Sequence, residues 1–231
     1  MGDVVDLSPA PVPRLPLRAA RVAIKALTGA TYAYEHDPAL ARRLGAHFTR
    51  RVGEVAPDVI FAPAASSCIA HLETDVPIVY YSDATWRAMD GYYPEFSRLT
   101  ARSRRGGEEA ESLAIAKSRL AVFASDWAAD SARRDYAADP AKVHVLPFGA
   151  NLAEPAAVVA PTTRAPSEPW RLLFVGVFWE RKGGPLAVAT LDALLRRGRR
   201  VELTVVGCTP PRGTRHPAMR VIPFLNKAVP S

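Results

Sequence analysis

Between residues 172 and 184 the chain reads Leu-Leu-Phe-Val-Gly-Val-Phe-Trp-Glu-Arg-Lys-Gly-Gly, an apolar run that stops at Gly176 and resumes as a helix after a basic, glycine-paired turn. Those residue types in that order can hold a phosphate. A helix start offers N–H groups with no intrahelical partner and the positive end of the helix dipole. Arg181 and Lys182 add two full charges there, and Gly183 and Gly184 remove the Cβ atoms that would keep a diphosphate off the backbone. The stretch is neither a P-loop, G-x-x-x-x-G-K-[ST], nor the dinucleotide fingerprint G-x-G-x-x-G. Taken alone, Arg-Lys-Gly-Gly is also an ordinary exposed basic turn.

The elements that must position the turn are legible around it. An apolar strand precedes it. A helix from Pro185 to Arg197 follows, with Pro185 in its first turn, Ala187, Leu191, Leu194 and Leu195 on one face, and Gly198 as its stop. Residues 201–207 supply the next strand, which completes a βαβ unit. Upstream, 121–124 reads as a strand, Ser125 or Asp126 as a helix cap, and Lys142–Leu146 as another strand, followed at once by Pro147-Phe148-Gly149-Ala150-Asn151.

These two blocks, in this order, resemble the family 4 glycosyltransferases, which are retaining enzymes of the GT-B fold. The resemblance implies an α/β protein of two Rossmann-like lobes with parallel sheets: an acceptor-side lobe over 1–152, a proline-rich linker over 153–169, and part of a nucleotide-sugar lobe over 170–231. It implies that Gly176, Arg181, Lys182 and Gly183 hold the diphosphate of a UDP- or GDP-linked sugar, which is moved with retention to an unknown acceptor. It calls for no cofactor beyond that donor and no metal. The alternative is a chain that binds a nucleotide or phosphosugar without catalysis.

On the acceptor side, Asp83 follows an apolar strand in Tyr81-Ser82-Asp83-Ala84-Thr85-Trp86, at the end of the strand where open α/β sheets place ligands. It reads equally as a catalytic group and as a helix N-cap. Many members of the family have a histidine near this point, where Ser82-Asp83 stands here. Ser82, Thr85 and Tyr92 are candidates to line an acceptor cleft, and Asp90-Gly91-Tyr92-Tyr93 reads equally as a turn with packed aromatics. His36, His47, His71, His144 and His216 are too scattered for a metal centre.

Two departures from the family pattern stand out. The lobe would open with a strand and a glycine-rich turn, whereas this chain opens with Gly2-Asp3-Val4-Val5-Asp6-Leu7, which reads as a later edge of that lobe. The Glu-x7-Glu pair that faces the donor sugar and ribose has no counterpart, because Asp192 and Glu202 are the acids after Lys182. The chain therefore reads as a fragment that does not turn over alone and that leaves an apolar sheet face uncovered.

With 48% hydrophobic and 23% charged residues the sequence belongs to a globular protein. Two distant cysteines, Cys68 and Cys208, argue against a disulfide framework and for a reducing, cytoplasmic compartment. A net charge of +7 raises the question of polyanionic partners. No basic stretch alternates with stacking aromatics, which argues against nucleic acid. Arg14, Arg18, Arg21 and Lys25 recur at helical spacing beside Leu17, Ala20, Ile24 and Leu27. That pattern fits either a solvated helix packed on the lobe or peripheral contact with the anionic inner face of a membrane. Residues 1–20 read as an extended, proline-rich loop, and helical patterns cover 17–27, 39–55 and, broken at Gly106-Gly107, 94–118.

Overall fold

In the computed structural model, which describes residues 3–7, 12–149 and 168–225, every strand belongs to one of two parallel sheets. The first has β1 (Ile60–Pro63), β2 (Ile78–Ser82), β3 (Leu120–Phe123) and β4 (Val143–Val145) in that order, and the second β5 (Trp170–Val175), β6 (Val201–Val206) and β7 (Met219–Ile222). Helices α1 (Arg14–Thr28) and α2 (Pro38–Val55) precede β1. A parallel neighbour is reached only by carrying the chain back to its starting edge. Here α3 (Ser66–Ile69), α4 (Trp86–Met89) with α5 (Ala101–Lys117), α6 (Asp126–Asp135) and α7 (Gly184–Arg196) lie within those crossovers.

The architecture is α/β, and the chain divides into two units, Met1–Asn151 and Leu152–Ser231. Of the segment read as a linker, 153–169, all but Glu168 and Pro169 lies outside the described residues. Helix α1 begins at Arg14, inside the stretch expected to be a loop. Pro16 does not prevent this, because proline is tolerated in the first turn, where N–H groups have no partner.

Burial alternates along β2, with Ile78, Tyr80 and Ser82 inward. Tyr80 and Phe123 pack with Ala114, Ala128, Ala129 and Ala132, whose small side chains let α5 and α6 lie close to the sheet. In the second unit Phe174, Leu203 and Val205 pack on Leu191 and Trp179. The opposite faces meet solvent, through Phe61 and Leu120 in the first sheet and through Leu173 and Val175, 68% and 65% exposed, in the second. The apolar run of β5 therefore belongs to a strand buried on one face only, not on two as such runs usually are.

Helix α5 corrects a second expectation. Pro94–Phe96 forms a separate 3-10 turn, and α5 runs unbroken through Gly106 and Gly107. A Cβ at Gly106 would collide with the His36 carbonyl and the Pro38 ring, and one at Gly107 with the Trp86 indole. These glycines permit close approach rather than a break. Beside them Asp37 caps α2 through the Ala39 N–H at 2.9 Å, accepts the Tyr32 hydroxyl at 2.7 Å and pairs with Arg102 of α5. The Arg102 guanidinium holds the Asp37 carboxyl well below the usual carboxylate range.

Two other groups, one buried and one half-buried, titrate abnormally. Glu111 of α5 accepts the Tyr80 hydroxyl at 3.0 Å, and burial lifts its pKa from 4.5 to about 7. His36, 3.2 Å from the Ser67 hydroxyl and with its ring tilted against that of Trp86 at 4.3 Å, is lowered by burial from 6.5 to about 4. A raised carboxyl favours the fold as pH falls from about 7 towards 4.5, whereas a depressed imidazole weakens it as pH falls below 6.5. The two slopes oppose one another over nearly the same window. Glu111→Gln should leave the histidine slope alone, so that stability from urea melts falls by about 2 kcal/mol between about pH 8 and about pH 5, while the parent chain stays nearly level. A level profile in the variant would show that His36 is not held neutral.

Candidate functional site

Parallel strands end together, and in the second unit Val175, Val206 and Ile222 are in register at the carboxyl edge. Two glycines floor that edge. The Gly176 N–H donates to the Val206 carbonyl at 3.0 Å, and the Gly207 N–H to that of Ile222 at 3.0 Å. Gly207 has φ +95°, and a Cβ on it would stand 3.2 Å from the Gly176 oxygen. A Cβ on Gly176 would stand 2.9 Å from Cγ of Lys182, so the lysine stem lies across the first glycine.

The turn from Val177 to Gly183 is wound around Trp179. Its ring is buried, 5.3 Å from that of Phe174, and it fills the place of a Cβ on Gly184. Backbone bonds close the turn: Lys182 N–H to Phe178 O at 3.0 Å, Gly183 N–H to Glu180 O at 3.1 Å, and Gly184 N–H to Trp179 O at 2.8 Å. Gly183 caps α7 with φ +82°, in the left-handed region, and a Cβ on it would meet open space.

This geometry reassigns the glycine pair. Gly183 is a glycine for its backbone angle and leaves open space above it, whereas Gly184 is a glycine because an indole lies on it. The amide of Gly184 is already spent, and Pro185 has none. The positive character in front of α7 therefore rests mainly on Arg181 and Lys182, whose full charges exceed the roughly half charge of a helix end. Both side chains are exposed, and the Arg181 guanidinium lies 5.0 Å from the Phe178 ring centre. Gly176, Arg181, Lys182 and Gly183 thus come together in one turn.

In the first unit the candidates separate by burial. Asp83 is exposed just past β2. It is not the cap of α4, because Thr85 fills that place by accepting the Ala88 N–H at 3.2 Å. Thr85 is fully buried and bonded to the Ser131 hydroxyl, and Ser82 is buried with its hydroxyl donating to the Ala84 carbonyl at 2.7 Å. Thr85 and Ser82 hold the turn together rather than facing a ligand. Tyr92 is 64% exposed, with its ring 5.7 Å from that of Trp127, itself 50% exposed in the first turn of α6.

Trp127 is not among the residues to which the sequence motifs point, although a tryptophan one residue past a helix start after a strand is a usable signal. A second feature that sequence reading did not foresee is an open hollow of about 590 Å³ lined by Arg87, Asp90, Arg104, Arg105 and Glu108. Arg87 pairs there with Glu108, and Arg104 with Asp90 at 2.7 Å. The spacing of 104, 105 and 108 on one helical face was its sequence signal. Among the described residues no three His, Cys, Asp or Glu side chains gather as a metal centre, and no helix is long and apolar enough to cross a membrane.

No family model matches the chain, and no curated protein matches it.

The two glycines of the turn should respond differently to the same substitution. Gly184→Ala drives a methyl into the Trp179 ring and is expected to cost about 3 kcal/mol, at the upper end of overpacking. Gly183→Ala meets no atom and should cost about 1 kcal/mol, for its backbone angle alone. Urea denaturation of both variants measures the difference, and equal losses would show that the indole is not seated on Gly184.

Proposed function

We propose that the chain contributes the acceptor-side lobe and the donor diphosphate turn of a nucleotide-sugar glycosyltransferase, of the retaining, GT-B family 4 kind that its motifs resemble. The observation that carries this reading is the turn after β5. Lys182 is laid across Gly176, Arg181 stands beside it, and Gly183 leaves the approach open at the carboxyl edge of a parallel sheet. Ligands of open α/β sheets bind at that edge.

Sugar transfer breaks the bond between the anomeric carbon and the diphosphate oxygen, and the electron pair leaves on the phosphate. Cations fixed at the departing oxygen stabilise the charge that develops there. In this reading Arg181 and Lys182 do that for UDP or GDP. Asp83 is the exposed carboxylate at the carboxyl end of β2 that would take the acceptor hydroxyl's proton, with Tyr92 offering a ring to the acceptor.

One observation favours a second reading, binding of a nucleotide or phosphosugar without transfer. Asp192 is engaged with His216, Oδ1 to Nε2 at 3.3 Å, and Glu202 lies near the start of β6, away from its carboxyl end. Neither supplies the carboxylate pair that would face a donor sugar.

Calorimetric titration with UDP and with GDP tests the shared part of both readings. Arg181→Ala with Lys182→Ala should weaken binding by about 3 kcal/mol or more, since each charge-assisted phosphate contact contributes about 1.5–3 kcal/mol. Unchanged affinity for both nucleotides would remove the phosphate assignment. Release of UDP or GDP from the nucleotide sugar then separates transfer from binding: a chain that only binds releases none, and wherever the parent releases nucleotide Asp83→Asn should abolish it.

A further inference from the structure

Helix α1 has two finished jobs and one unexplained face. Its stripe of Leu17, Ala20 and Ile24 packs on Tyr32, Tyr34, Leu40 and Leu44, and Gly29 closes it with a left-handed cap, φ +67°. No residue of the helix is fully buried, and its sequence, RLPLRAARVAIKALT, holds no acid. Arg14, Arg18, Arg21 and Lys25 recur at i, i+4, i+7 and i+11, which places them on one exposed stripe. Beside that stripe Leu15 and Val22, seven residues apart and so on one line, are 82% and 69% exposed. The guanidinium of Arg98 stands against Gly29 at the end of the helix and extends the positive field.

We infer that this outward face of α1 docks on an anionic phospholipid surface, the arginines and lysine meeting the headgroups while Leu15 and Val22 enter the acyl boundary. Among the described residues the stripe makes one ion pair, Arg21 to Glu35 at 3.8 Å with both side chains half exposed, which leaves the charge available. Charge alone would also suit a nucleic acid. What selects the membrane is the aliphatic line running parallel to the basic one: phosphodiester backbones offer it no partner, and the helix carries no aromatic ring on which a base could stack. The inference does not depend on the glycosyltransferase reading, because α1 takes no part in either candidate site.

Flotation of the full chain with vesicles tests it. Binding is expected to vesicles of equal phosphatidylglycerol and phosphatidylcholine, not to phosphatidylcholine alone, and to fall as salt is raised. Arg18→Glu with Arg21→Glu should weaken partitioning at least about tenfold, since each basic residue near an anionic surface is worth about fivefold. Leu15→Ser with Val22→Ser keeps the charge and should also weaken it about tenfold through lost apolar burial. All four positions are exposed, so thermal melts of both double variants should match the parent chain. Absence of binding to the anionic vesicles at low salt would overturn the inference, as would unchanged binding by the charge-reversed variant. Unchanged binding by the serine variant, together with retention of a DNA duplex, would assign the face to nucleic acid and overturn it equally.

Discussion

In each unit an indole ring lies against a helical glycine, and the turns of interest hang from those two contacts. Trp86, four residues past the end of β2, rests on Gly107 of α5, and Trp179, four residues past β5, rests on Gly184 of α7. Interiors are packed so closely that a ring and a helix backbone can meet this way only where the Cβ is missing. The first contact fixes the run from Ser82 to Trp86, and with it the exposed position of Asp83. The second fixes the loop that carries Arg181 and Lys182. The Trp86 contact is kept even though the indole N–H is buried with no partner among the described residues, a burden of about 1–3 kcal/mol that ring packing on Gly107, His36 and Phe96 must offset.

What could be read from the amino-acid sequence divides along the range of the interactions. The βαβ unit around the diphosphate-type turn was legible because its signals are local: the apolar run, Pro185 in the first helical turn, and Gly198, which adopts the left-handed angle of a helix stop, φ +71°. The α/β class followed from the same alternation. The reasons for the other glycines were not legible, because Gly106 and Gly107 answer to His36, Pro38 and Trp86, which are far away in the chain. Thr85 is a similar case. Its residue type suited a ligand pocket, and only the packing of α4 on α6 shows its hydroxyl sealed against Ser131. Tyr80 and Glu111 form a buried polar pair across a sheet and a helix, and nothing in the spacing of either residue announces it.

The electrostatics of the two units also differ in kind. The first buries ionisable groups, pairing Asp37 with Arg102 and holding Glu111 against the Tyr80 hydroxyl where burial favours its neutral form. Further arginines lie on its surface, along α1 and around the hollow between α4 and α5, where Arg87 and Arg104 are paired with Glu108 and Asp90. The second carries Arg181 and Lys182 on a turn whose backbone is closed by hydrogen bonds at Lys182, Gly183 and Gly184.

The seating of an indole on a glycine also governs how such a chain can drift. A glycine at position 107 or 184 cannot take on any larger residue while its tryptophan remains, and a tryptophan that shrinks leaves a hollow the size of its ring. Neither partner has an easy first step. Among descendants of this chain the pairs 86 with 107 and 179 with 184 should be inherited as units or replaced as units, and a lineage that breaks one of them is expected to rebuild the whole loop that the ring supports.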